Sequence, residues 1–234
     1  MTLIKKPKIV LFDWDNTIVA THGIFSSVLS IVMRKLNLDH DIINSQKYKD
    51  TRNMSVRDSF PILFGENWQS IWNEYEKCYN EVLNEKGGVV MLPGAENFLM
   101  QLHEDGVLMG VVSNKNHDLL MNEVKMLGIE HLFISVVGSG RALADKPSAI
   151  HAQHAIDEII NLKNDLRITK EIDCWLVGDS DVDVSCAINT NCFPVLINST
   201  DRAVPSKKYL TLNNVPHVHI TSFDELMEKY KKLK

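Results

Sequence analysis

The sequence predicts an α/β fold: a mostly parallel sheet covered by helices on both faces, with a helical unit inserted after the first strand. Three observations carry this reading. From residue 95 onward, strand-like apolar runs alternate with helical patterns, which is the order of a parallel sheet. Between the first such run and residue 88, the regular signal is helical. Polar and charged residues suited to chemistry fall where four of the apolar runs end, the place where ligands bind in an open α/β sheet.

The elements follow in order. Ile9-Val10-Leu11-Phe12 is short and β-branched at its start, and reads as a buried strand. A helix follows over Ile24 to Leu36, with Ile24, Val28, Ile31, Val32 and Leu36 on one side. Residues 37–57 are polar and read as irregular. From Asn67 to Val82, Trp68, Ile71, Trp72, Tyr75, Cys78, Tyr79 and Val82 recur at helical spacing, the pattern of a packed helix face. Gly87-Gly88 breaks it, and Pro93-Gly94 marks a turn. A helix from Glu96 to Glu104 stops at Asp105-Gly106, and a strand from Val107 to Val112 leads into Ser113-Asn114-Lys115. Asn116 caps a helix that runs to Leu127, with Gly128 beyond. Strand Phe133 to Val137, the loop 138–146 and helix Ser148 to Ile160 come next. Strand Cys174 to Val177 precedes Gly178-Asp179-Ser180-Asp181-Val182-Asp183 and a helix that contains Ala187. Phe193 to Ile197 is a fifth strand and His217 to Ile220 a sixth. Thr221 or Ser222 opens the last helix, with Glu225 placed to complete a capping box. The expected architecture is a Rossmann-like three-layer core of residues 1–17 and 89–234, with residues 18–88 as an inserted helical cap.

The chain has 234 residues, room for a core domain and a smaller insert. A net charge of −5 argues against a nucleic-acid-binding body. Lys229, Lys231, Lys232 and Lys234 suit a solvated helix end, favoured by the helix dipole. No apolar run approaches a bilayer span, and the lysines at 5, 6 and 8 precede too short a run for a secretory signal. Cys78, Cys174, Cys186 and Cys192 have no metal-site spacing, so buried free thiols and a cytoplasmic location are expected. Nothing in the sequence sets an oligomeric state.

At or beyond the strand ends stand Asp13, Asp15 and Thr17; Ser113 and Asn114; Lys146; and Asp179 and Asp183. Carboxylates so close together are costly without a compensating cation or proton. Mg²⁺ takes carboxylate and phosphate oxygens, and a lysine with hydroxyl donors neutralises the remaining phosphate charge. The set therefore points to phosphoryl transfer.

These motifs, in this order, resemble the haloacid dehalogenase-like hydrolase superfamily, in its phosphatase branch with a helical cap. Cap size and the form of the last motif are most similar to phosphoglycolate phosphatase-like proteins. The resemblance implies Mg²⁺-dependent hydrolysis of a small phosphorylated metabolite, with phosphoglycolate as one candidate. The net charge and the lack of a bilayer-length apolar run lead to the expectation of no nucleic-acid or membrane partner. Asp13 would be the nucleophile, and Asp15 would protonate the leaving oxygen and then activate water. Thr17 and Ser113 would bind phosphoryl oxygens, with Asn114 supporting the Ser113 loop. Lys146 would pair with phosphate and nucleophile. Asp13, the backbone carbonyl of Asp15, and Asp179 would hold Mg²⁺. Asp183 would serve the metal's water shell or fix Lys146.

Other positions carry narrower expectations. Asn16 stands where the superfamily has glycine, and Asn tolerates a left-handed backbone. Trp14 should point away from the two aspartates by strand alternation. Ala20 replaces a common acidic residue near the cap hinge. Hinges are expected near 18–22 and 86–92. Lys115 faces either substrate or solvent. Asp181 is expected to be solvated, and Ser180 to cap the next helix or serve the site. Arg52, Ser55, Arg57 and Asp58 are the cap residues placed to meet substrate, the alternative being arginines solvated or paired with Asp50 and Asp58. His22, His151 and His154 read as surface or packing histidines.

Relatives with other chemistry fit less well. The dehalogenase and phosphonate-cleaving branches lack an aspartate at position 15. The sugar-phosphate mutase branch has a cap-hinge histidine where Phe25 stands, and His22 falls three positions early. A phosphate-binding module without turnover is the reading from a different class.

Overall fold

Ile9–Phe12 (β1) is buried along its whole length because it lies between two other strands. In this computed structural model, which describes residues 5–51, 53–163, 174–197 and 218–233, β1 pairs with Leu108–Asn116 (β2) and with Cys174–Gly178 (β4). Ser135–Ser139 (β3) lies beyond β2. Phe193–Ile197 (β5) and Val218–Ile220 (β6) lie beyond β4. The six strands run parallel in the order β3-β2-β1-β4-β5-β6. That order reverses between β1 and β4, where a crevice opens outside the carboxyl ends.

Both faces are covered, as expected. Val10 and Phe12 join one apolar cluster, and Ile9 and Leu11 the other, the two-face pattern of a buried strand. Among the described residues the helices are Ile24–Lys35 (α1), Gln46–Thr51 (α2), Val56–Phe64 (α3), Trp68–Glu85 (α4), Ala95–Glu104 (α5), His117–Met126 (α6), Ala149–Lys163 (α7), Asp181–Asn189 (α8) and Phe223–Lys231 (α9). Ala152, Ala155, Ile156 and Ile159 of α7 and Cys186 and Ala187 of α8 cover one face. Phe98 of α5, Leu120 of α6 and Phe223 of α9 cover the other. Helices α1 to α4 form the inserted cap. Val28 and Val32 of α1 and Tyr75 and Tyr79 of α4 continue the second cluster out of the core, so cap and core share apolar packing. All four cysteines are buried and free.

The cap's two linkers run side by side. Val19 bridges Met91, Ala20 N–H donates to the Val90 carbonyl at 2.9 Å, and Leu92 N–H donates to that of Ile18 at 2.8 Å. Gly87 and Gly88, at φ of 74° and 100°, take a conformation that L side chains resist.

The structure departs from the expected elements in five places. Residues 37–57 are not irregular: they hold a 3-10 turn at His40–Asn44, α2 and the start of α3. The 3-10 turn buries no residue and α2 buries only Thr51, so no apolar period advertises them. Strand β2 runs on to Asn116, which places Ser113 and Asn114 within it rather than past its end. Strand β3 starts at Ser135, because its ladder begins opposite Gly110. Ser222 does cap α9, but Glu225 turns to the N–H and hydroxyl of Thr221 rather than completing the box. The complete capping box is at α8, between Ser180 and Asp183. Of the expected residues, Arg52, His217 and Lys234 lie outside the described residues.

Candidate active site

The site begins where β1 ends. Asp13 N–H still donates to the Val177 carbonyl of β4 at 2.8 Å, so its side chain leaves from an anchored backbone. The chain then turns sharply. Ile18 N–H returns to the Trp14 carbonyl at 2.9 Å and Asn16 N–H to the Val19 carbonyl at 2.7 Å. Asn16 has φ of 58°, the left-handed conformation expected of it. Trp14 turns away into the core, where Nε1 donates to Glu123.

Lys146 Nζ is 2.7 Å from Asp13 Oδ1 and 2.6 Å from Asp183 Oδ1. All three side chains are buried. Burial raises the Asp13 carboxyl to about 6, against the pull of Lys146 and with repulsion from Asp183. Burial would lower the Lys146 ammonium, but Asp13 and Asp183 hold it above its ordinary value. Asp183 is itself fixed, since Oδ2 accepts from Ser180 N–H at 3.0 Å and from its hydroxyl. Gly178 makes room: a Cβ there would lie 2.3 Å from Asp183 Cγ. Thr17 Oγ1 is buried and donates to Asp13 Oδ2 at 3.3 Å.

Asn114 clasps the lysine loop. Its Oδ1 accepts from Lys146 N–H at 2.9 Å and its Nδ2 donates to the Lys146 carbonyl at 3.0 Å. His151 Nδ1 accepts from the same N–H at 3.0 Å. Burial, with the Lys146 charge, pushes that imidazole down to about 4, so it stays a neutral acceptor. His151 was expected only to pack; it also holds the Lys146 backbone. Ser113 is buried beside this loop and accepts from Lys115 N–H at 3.2 Å.

Carboxylate oxygens of Asp13, Asp179 and Asp183 lie within 4.8 Å of one another. The donors are all hard anionic oxygens, and three carboxylates share the neighbourhood of one lysine. This set fits Mg²⁺ and offers nothing to favour a thiophilic metal. The Asp15 carboxylate lies outside that set. Its Oδ1 accepts from Thr21 Oγ1 at 2.6 Å and from Lys115 Nζ at 2.8 Å. Of the two roles expected for Asp183, the contact to Lys146 is made, and the same carboxylate also stands in the three-carboxylate cluster.

Three residues escaped the sequence reading as site residues, and a fourth, Lys115, was placed only between substrate and solvent. Lys115 faces neither open solvent nor substrate alone; it is buried between Asp15 and Glu123. Glu123 was invisible as a single acidic residue on a helix, and Tyr79 was read as packing only. Asp145 is the third that escaped. Arg57 Nη2 reaches Asp145 Oδ2 at 3.2 Å, and Nη1 donates to the Ala142 carbonyl at 3.1 Å. Asp58 is only a distant partner of Arg57, at 3.9 Å. Asn53 Nδ2 also contacts Asp181 at 3.3 Å, so Asp181 meets the cap rather than solvent alone. Ser55 caps α3.

Arg57 therefore ties the cap to the loop that carries Lys146. The Asp145 side chain is fully buried and also accepts from Ser139, and among the described residues its Oδ1 has no hydrogen bond. Arg57→Ala should weaken activity on unrelated phosphate esters in parallel, not on one substrate selectively. The half-exposed arginine should contribute about 1–2 kcal/mol, less than a fully buried charged hydrogen bond. Urea unfolding and kinetics on two esters check this; a loss confined to one substrate would make Arg57 a specificity residue.

Comparison with known proteins agrees with this geometry. A sequence profile of the haloacid dehalogenase-like hydrolases matches residues 10–197. A pyrophosphatase, PpaX, of Listeria monocytogenes is 22% identical over 184 residues, covering 77% of this chain and 78% of its own. The crystal structure of a hydrolase of the same superfamily from Ehrlichia chaffeensis superimposes with a TM-score of 0.61 at 24% identity, covering 98% of both chains. That of a putative phosphoglycolate phosphatase from Lactobacillus plantarum gives 0.72 at 16% identity, over 95% of this chain and 99% of the other. Among the described residues, no helix is long and apolar enough to cross a membrane.

Proposed function

Because this chain belongs to the haloacid dehalogenase-like hydrolases, we propose that it hydrolyses a small phosphomonoester with Mg²⁺, through a phosphorylated Asp13. The observation that carries the reading is Asp13 at the end of β1, paired with Lys146 and clustered with Asp179 and Asp183. Mg²⁺, held by Asp13, Asp179 and the Asp15 carbonyl, would screen the phosphate's charge when bound.

The chain's own residues divide the remaining work. Lys146 orients the Asp13 carboxylate and meets a phosphoryl oxygen. Thr17 and Ser113 offer hydroxyls to the other oxygens. An Asp13 oxygen attacks phosphorus while Asp15 gives its proton to the leaving oxygen. Asp15, now a carboxylate, takes a proton from water, and that water's oxygen displaces Asp13 from phosphorus. The domain division at residues 17 and 88 belongs to the same proposal, with the cap shielding the reaction from bulk water.

Phosphoglycolate, a phosphomonoester, enters as a candidate substrate from the names of the relatives, and pyrophosphate, a phosphoanhydride, as a second candidate outside the ester class. A mutase is disfavoured by position 25, where Phe25 packs against Phe60 and Tyr75 and offers no proton carrier. The test is a panel of phosphorylated metabolites with Mg²⁺, followed by quenching and mass mapping. Phosphate release and a phosphoryl mass on the peptide containing Asp13 are expected. Turnover with the label elsewhere, or none on any ester, would overturn the reading.

A further inference from the structure

We propose that Lys115 is the positioning residue for Asp15, holding one carboxyl oxygen so that the other is presented to the substrate's leaving group. This rests on the reading of Asp15 as the proton donor.

The geometry is specific to one oxygen. Lys115 Nζ and Thr21 Oγ1 both donate to Asp15 Oδ1, at 2.8 and 2.6 Å. Two donors, one from β2 and one from the linker into the cap, hold that oxygen. Oδ2 is then the atom that carries the proton. Lys115 comes from β2 and Thr21 from the linker into the cap, so the Asp15 side chain is held from both sides of the cap boundary.

Lys115 is fixed in its turn. Its ammonium is 2.7 and 2.8 Å from the two Glu123 oxygens and 5.1 Å from the centre of the Tyr79 ring. Glu123 is wholly buried and also accepts from Trp14 Nε1 at 2.6 Å and from the Tyr79 hydroxyl. Burial, with Asp15 and Glu123 nearby, pushes the Tyr79 phenol up, so it remains a donor. A buried lysine between two carboxylates is a poor way to gain stability, because apolar packing of the same volume does as well or better. A buried, fully hydrogen-bonded cation is a good way to fix an angle.

The chemistry defines a readout. In the first step the Asp13 oxygen–phosphorus bond forms and the ester oxygen–phosphorus bond breaks. The Asp15 proton passes to the departing oxygen. A leaving group that is already a weak base needs no proton, and a strongly basic one does. Misplacing Asp15 must therefore penalise basic leaving groups selectively. The quantity to measure is kcat/KM, which covers steps only through phosphorylation of Asp13.

The test uses the full chain with Mg²⁺ and three esters: dinitrophenyl, nitrophenyl and phenyl phosphate. Lys115→Met combined with Glu123→Gln removes the two buried charges together and leaves the Asp15 carboxyl, which is partly exposed, without its cation. Positioned acid catalysis is worth about 10²–10⁴-fold. The double variant should lose about 10²-fold or more on phenyl phosphate and less than about tenfold on the dinitrophenyl ester. Lys115→Arg, which keeps the charge but shifts the donor, should show the same trend more weakly. It carries the comparison if circular dichroism shows the double variant unfolded. Equal losses across the three esters in a folded variant, or no loss, would overturn the proposal. Wild-type protein that releases phosphate neither from these three nor from any phosphorylated metabolite would instead overturn the phosphatase reading, and the role of Lys115 with it.

Discussion

Asp13→Asn should abolish turnover and, in chelator at neutral pH, make the protein more stable than the wild type. The first half follows from losing the attacking oxygen with little change in volume. The second follows from burial. Asp13 is held at about 6, above its unfolded value of 3.8, so the native state prefers the protonated carboxyl. Asparagine is its uncharged isostere. Between about pH 4 and 6 the native wild type binds more protons than the unfolded chain, so the Asp13 contribution to stability rises as pH falls. The advantage of the variant should be full above pH 6, on the order of 1–3 kcal/mol, and should fade towards pH 4. His151 has the opposite sign. Its imidazole sits at about 4, below the unfolded 6.5, so its contribution is lost as pH falls through that window. The Asp13 effect must therefore be read from the difference between variant and wild type, by urea unfolding at several pH values. A variant less stable than wild type above pH 6 would show that Asp13 is needed to compensate Lys146. Multiple turnover by the pure variant would exclude Asp13 as nucleophile.

This conflict between function and stability is what made half of the site legible. Asp13 and Asp179 stand out because charge at the end of an apolar strand contradicts the local pattern, whereas Lys146 sits on the loop beyond β3. A fold keeps such contradictions where chemistry needs them. The sheet was legible for a related reason: strands such as Ile9–Phe12, Cys174–Gly178 and Phe193–Ile197 are apolar on both faces, and few other structures read so. The rest of the site was hidden by long-range pairing. Glu123 lies 109 residues from Trp14 and 44 from Tyr79, and on its own helix it looks like any solvated acid. Arg57 was visible as a cap arginine, but its partner Asp145 is 88 positions away. The polar helix α2 shows no period at all, because it buries only Thr51.

Asp179→Ala should weaken Mg²⁺ binding and remove most of the activity. Asp179 is the first residue beyond β4, at the switch point where β1 and β4 lie side by side. Asp13 and Asp183 are both bonded to Lys146, and that ammonium offsets much of their charge. Removing Asp179 should leave a pair of carboxylates already engaged by a lysine, a far weaker attraction for a hard dication that takes several oxygen ligands. The fold should survive, since Asp179 is only partly buried and the α8 capping box needs Ser180 and Asp183 alone. Calorimetric titration of Mg²⁺ into both proteins separates the effects. A drop in affinity of at least about tenfold is expected, equivalent to about 1.4 kcal/mol, alongside an unchanged unfolding midpoint in chelator. A drop in kcat with affinity intact would make Asp179 act on the phosphoryl group instead. Equal affinity and equal rate would move the metal away from the β1–β4 crevice altogether.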